Sequence, residues 1–169
     1  MAKAKEITVL DCSIDALEGA AKVLRLRFEE IAELYQTSAD FSDVDLIHDL
    51  RVMTRRLRSA LRDFTPLLKR ENFKPIEKDL KKIAAALGKV RDEDVGIDAL
   101  EKLRAESENE AIKKEIEILL QKRKDFRQTA QAELADQLTD KQIDELQKKL
   151  AEKLDKILHS KETEISFKE

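Results

Sequence analysis

A chain of 169 residues, 41% hydrophobic and 41% charged, is long enough for one domain with a core; three glycines, two prolines and no tryptophan read as long amphipathic helices joined by few turns. The single Cys12 excludes an intramolecular disulfide, no apolar run approaches the ~20 residues of a membrane span, and the start MAKAKEITVLD lacks a signal-peptide apolar stretch, so a soluble cytoplasmic protein is expected. The net charge of −3 hides a segregation, with 13 Lys and Arg against 4 Asp and Glu from Arg51 to Arg91 and 20 against 32 elsewhere, which points one segment at an anionic partner.

Residues 1–11 carry little pattern, and ITVL reads as a brief strand or an arm. From Ser13, a candidate N-cap, the residues Ile14, Leu17, Ala21, Leu24, Phe28, Ile31 and Tyr35 follow a seven-residue repeat and predict a first helix to about Gln36. TSADFSD breaks the pattern, and Ser42 with Asp45 resembles a capping box opening a second helix. In that helix Leu46, Leu50, Met53, Leu57, Leu61 and Phe64 form an apolar stripe. Roughly 130° away by wheel arithmetic, His48, Arg51, Arg55, Arg58 and Arg62 share one face.

Pro66 should interrupt the second helix after Phe64, and Pro75 suits the first turn of a third. The third helix repeats the two-stripe design, with Ile76, Leu80, Ile83, Leu87 and Val90 apolar and Lys74, Lys78, Lys81, Lys82 and Lys89 basic. Gly88 is expected to loosen or end it, and a short separate helix capped by Asp92 to follow. A long helix is predicted from about Asn109 to Leu138, with Ile112, Ile116, Leu119, Leu120, Phe126, Ala130 and Leu134 inward. Thr139 can cap a last helix with a seam of Ile143, Leu146, Leu150, Leu154 and Ile157; residues 160–169 read as a loose end.

Four arginines on one face repel one another by a few tenths of a kcal/mol per neighbouring pair. An acidic chain that leaves glutamates out of that face has the pattern of a working surface. Guanidinium forks hold two oxygens of a phosphate or carboxylate at once, so a row of them suits a ligand that carries a row of anions. His48 adds a hydrogen-bonding imidazole to the row. The plain alternative is a solvated face laced with salt bridges, although Asp49 and Asp63 lie off the stripe. A metal site at His48 with Asp45 and Asp49 is opposed by Arg51, no Ser/His/Asp or Cys/His arrangement is present, and no metal, cofactor or catalysis is expected. Nucleic acid competes as a ligand, but no aromatics interleave the basic face and no nucleic-acid motif is found.

The run His48, Asp49, Leu50, Arg51, Val52, Arg55, Arg56, Leu57, Arg58, Leu61 resembles the CHAD family, the conserved histidine α-helical domain, as does the later set Leu80, Lys81, Leu87, Gly88, Arg91, Asp92, Asp94, Val95. The resemblance implies a non-catalytic helical domain that binds inorganic polyphosphate through basic residues, with family members associated with polyphosphate granules. Carried over by position, His48, Arg51, Arg55, Arg58 and Lys81 are the expected contacts; the helical wheel adds Arg62, Lys78, Lys82 and Lys89, with Arg56 and Arg91 as further candidates. Ala85 departs from the family pattern, which often has a base there.

A full family domain resembles two related halves with the ligand between them, and the matching residues correspond to the first. The expectations are therefore one all-α bundle of five to six helices, half of a pseudo-twofold CHAD-type domain, and association of two copies as a homodimer that rebuilds the groove with two equivalent basic helices. Scaffolding on an acidic protein partner and nucleic-acid binding are the competing functions.

Overall fold

The computed structural model describes residues 5–6, 14–37, 41–68 and 72–166, the last six by backbone alone. Its helices are α1 (Ala16–Gln36), α2 (Val44–Asp63), the single turn α3 (Thr65–Leu68), α4 (Lys74–Glu106), α5 (Glu110–Gln137) and α6 (Asp140–Ser166). Among the described residues there is no strand, and the architecture is the all-α bundle that the periodicities predict. Residues 7–10, Ser13, and Lys69 with Arg70 lie outside the described residues.

Local chemistry sets the helix starts. Asp15 caps α1 by accepting from the Leu17 N–H at 2.9 Å, and Asn109 caps α5 by accepting from those of Ala111 and Ile112. Thr139 and Gln142 form a reciprocal capping box at α6: the Thr139 N–H donates to Gln142 Oε1 at 2.9 Å, and the Gln142 N–H to Thr139 Oγ1 at 3.3 Å. At α2 the cap lies one residue beyond the Ser42 expected from sequence. Asp43 accepts from the N–H groups of Asp45 and Leu46, while the Ser42 carbonyl is engaged elsewhere. The chain breaks at Phe64, just ahead of Pro66, as expected.

The core is made where the predicted seams meet. Leu24, Phe28 and Ile31 of α1, Leu50, Leu57 and Leu61 of α2, Leu80, Leu87 and Val90 of α4, Leu134 of α5 and Leu146, Leu150 and Leu154 of α6 form one buried cluster. The ion pairs Arg25–Asp155, 2.5 Å, and Lys149–Asp79, 3.1 Å, tie α6 to α1 and α4 at the surface. α6 runs to Ser166, so the backbone of 160–166 continues the helix.

Two sequence expectations need correction. Gly88 does not end a helix, and Asp92 caps nothing: α4 is one helix of 33 residues through both. Gly88 is buried instead against α2, where an added Cβ would stand 3.1 Å from Arg51 Nη1, so the missing side chain leaves room for that guanidinium. Nor do Ile112, Leu119 and Phe126 point inward; they stand 50%, 48% and 61% exposed. The reason is length. At 1.5 Å per residue α4 spans about 50 Å, against about 30 Å for α1 and α2, so its C-terminal half and the facing half of α5 extend as a two-helix hairpin past the shared core.

Candidate functional site

The α2 backbone fixes the direction of its arginines. With Leu50, Leu57 and Leu61 buried, the stripe on the other side carries Arg51, Arg55, Arg58 and Arg62 into solvent, and all four are exposed. The row from Arg51 to Arg62 spans about 16 Å along the helix. Arg55, Arg58, Ser59 and Arg62 of α2 meet Glu77 and Lys81 of α4 around an open cavity of about 320 Å³. Arg51 lies one turn further toward the start of α2, over Gly88. His48 is half-buried at the head of the row.

Ion pairing separates this row from the rest of the chain. Arg25, Arg27, Arg104, Arg123 and Arg127 each hold a carboxylate: Asp155, Glu30, Glu117, Glu93 and Asp94 respectively. Among the described residues no carboxylate lies within ion-pair distance of Arg51, Arg55 or Arg58. Arg62 reaches only its neighbour Asp63, at 3.4 Å with both side chains well exposed, an arrangement worth little. The salt-bridged surface that charge runs usually form is therefore not what α2 presents.

The structure divides the other predicted residues. Lys81 belongs to the α2–α4 seam. Lys82 turns toward α6 and lines a separate cavity of about 620 Å³ with Asp79, Glu145 and Lys149, and Lys89 pairs with Glu133 of α5 at 2.6 Å. Lys78 is exposed between these two sides, and Arg91 is half-buried. Arg56 points toward α1, where it lines a cavity of about 410 Å³ with Arg27, Arg55 and Asp63, and its Nη1 is buried without a hydrogen-bond partner.

Sequence reasoning missed the group that holds the site in place. Asp94, 1% exposed at its side chain, accepts from Arg127 Nε at 2.6 Å. Arg127 Nη2 donates to the Ser42 carbonyl at 2.9 Å and the Phe41 carbonyl at 3.5 Å. Phe41 has a φ of 57°, a left-handed conformation uncommon for a bulky residue. One part-buried guanidinium thus fixes α4, α5 and the turn from which α2 starts, and so sets the direction in which the arginine row leaves. Asp94 stands in the later run that resembles the family, but no local spacing links it to Arg127, 33 residues later.

No group of three His, Cys, Asp or Glu among the described residues could hold a metal ion, and no described helix is long and apolar enough to cross a membrane. Fold and site together define a class: an all-helical bundle with an arginine-rich, predominantly cationic seam between two of its helices. The family model of the CHAD domain matches residues 20–168, and the chain belongs to that family. The CHAD domain is associated with polyphosphate binding and is in general a non-catalytic binding module. Comparison with curated proteins and with solved structures returned no match.

Proposed function

We propose that this protein binds inorganic polyphosphate along the α2–α4 seam as an electrostatic clamp, without catalysing a reaction on it. One observation carries the reading: among the described residues Arg51, Arg55 and Arg58 are exposed and without an ion-pair partner, whereas the arginines outside this segment hold carboxylates. Keeping like charges aligned costs stability, and a polyanion offsets that cost. In this reading Arg51, Arg55, Arg58, Arg62 and Lys81 hold successive phosphates, and His48 donates a hydrogen bond at the head of the row. Lys78, Lys82 and Lys89 extend the positive field on the flank of α4, with Arg56 and Arg91 at its margins. Two copies, associated as a homodimer in the cytoplasm or at polyphosphate granules, double the number of phosphates held.

A ligand made only of linked phosphates suits the seam better than nucleic acid, because no exposed aromatic side chain stands in the row to stack a base. The test is competition at physiological salt. Labelled polyphosphate should bind and be displaced by unlabelled polyphosphate but not by an equal charge of single-stranded DNA or RNA, or by an acidic protein. Equal displacement by nucleic acid would replace this reading with a nucleic-acid one.

A further inference from the structure

The α4–α5 hairpin leaves one face uncovered. Ile112, Leu119 and Phe126 recur every seven residues on α5, the spacing of a helix-packing seam. Cross-helix ion pairs fix the geometry: Arg123 meets Glu93 along one edge of the hairpin at 3.1 Å, and Lys124 meets Glu101 along the other at 3.7 Å. At 100° per residue Leu119 and Phe126 lie on the Arg123 edge of α5, and Leu103 lies on the Glu93 edge of α4. The three α5 residues and Leu103, itself 52% exposed, therefore share one side of the hairpin. A contiguous apolar stripe of this kind on an otherwise charged surface marks an interaction site.

The charges beside the stripe select its occupant. Glu115 and Lys122 flank it on the side away from α4, both exposed, and among the described residues neither has an ion-pair partner. Their neighbours Glu117, Arg123 and Lys124 are all paired. Place a second α5 antiparallel on the first, with a twofold axis at Leu119. Ile112 then faces the partner's Phe126, Leu119 faces the partner's Leu119, and Glu115 falls beside the partner's Lys122. The operation returns the same pair on the other copy, and an isologous interface needs that self-complementarity.

We infer that two copies of this chain associate through the exposed face of the α4–α5 hairpin, in an antiparallel seam centred on Leu119 and closed by reciprocal Glu115–Lys122 pairs. The inference takes its occupant from the homodimer proposed above and adds the surface and the register. The seam uses no residue of the arginine row, so each copy keeps its cationic face open.

Sedimentation velocity of the full chain without polyphosphate tests it. The wild type should sediment as a dimer at micromolar concentration, and Leu119→Glu as a monomer with unchanged helical circular dichroism. Glu115→Lys alone and Lys122→Glu alone should each weaken dimerisation about tenfold, and the double reversal should restore it. These exposed charge changes keep the test valid even where Leu119→Glu perturbs folding. A monomeric wild type overturns both dimer and seam; a dimer indifferent to Leu119→Glu, or a double reversal that restores nothing, overturns the seam alone. Polyphosphate affinity, read separately on the arginine variants, is the measure of the binding reading and leaves the seam untouched.

Discussion

Replacing Arg127 by methionine removes three anchors with one substitution. The buried Asp94 carboxylate loses its counter-ion, and the carbonyls of Ser42 and Phe41 lose their donor. Breaking a buried ion pair by deleting one partner costs about 3–5 kcal/mol, because the remaining charge is left uncompensated. Arg127 is 15% exposed, so water relieves part of that, while the longer of the two carbonyl contacts adds little. A net loss of about 3–4 kcal/mol is expected, which for a chain of this size lowers Tm by roughly 6–16 °C. Urea unfolding followed by circular dichroism measures it directly. Asp94→Leu combined with Arg127→Met should recover much of the loss, since a pair replaced by apolar groups is often close to neutral. A single-variant loss under about 1 kcal/mol would refute the claim that this pair fixes the start of α2.

Gly88→Ala should hold or raise stability by up to about 1 kcal/mol, since alanine is the better helix former and the atom in its way is the mobile end of Arg51, yet it should weaken polyphosphate binding by displacing that guanidinium. Measured together, unfolding and titration should move in opposite directions; unchanged affinity would remove Arg51 from the site. Arg51→Ala with Arg55→Ala should cut affinity at least tenfold, keep the helix content, and reduce the dependence of log affinity on log salt by about 2, as loss of two phosphate contacts requires by analogy with nucleic-acid backbones. An unchanged slope would mean that neither arginine meets phosphate. Burial, and then a hydrogen bond toward Asp140, hold the Tyr35 phenol above its ordinary pKa. The folded state therefore keeps that proton more tightly than the unfolded one, and its contribution is present below pH 10 and lost as pH rises beyond it. Tyr35→Phe should make the alkaline fall of stability shallower, and an identical fall in the variant would exclude Tyr35 as its source.

Where one seam meets one core, periodicity was enough. The middles of the α1, α2 and α6 stripes are buried as their spacing predicts, with Leu17, Tyr35, Phe64 and Ile157 half-buried at the ends, because these stretches lie side by side against the shared core. Periodicity identified Ile112, Leu119 and Phe126 as a stripe that wants cover, but it carries no information on whether the cover comes from the same chain. Length decided that, once α4 proved continuous. Gly88 was misread for a related reason. Alone in a helix glycine is a weak point, and only the approach of Arg51 from α2 makes the absent Cβ useful.

The arginine row was legible, since it needs nothing beyond one helix and its register. That Arg51, Arg55 and Arg58 have no ion-pair partner among the described residues was not, because a carboxylate can arrive from any helix in the bundle. The lysines of α4 show the same limit. A single wheel places Lys81, Lys82 and Lys89 on one basic face, yet the neighbours of α4 divide that face into a seam with α2 and contacts with α5 and α6.

Calorimetric titration of the full chain with long-chain polyphosphate at physiological salt, repeated on Arg55→Ala combined with Arg58→Ala, tests the central claim most directly. The wild type should bind saturably, and the double variant at least tenfold more weakly with its helix content intact. A wild type that takes up no polyphosphate, or a folded double variant that binds as tightly as the parent, would contradict it.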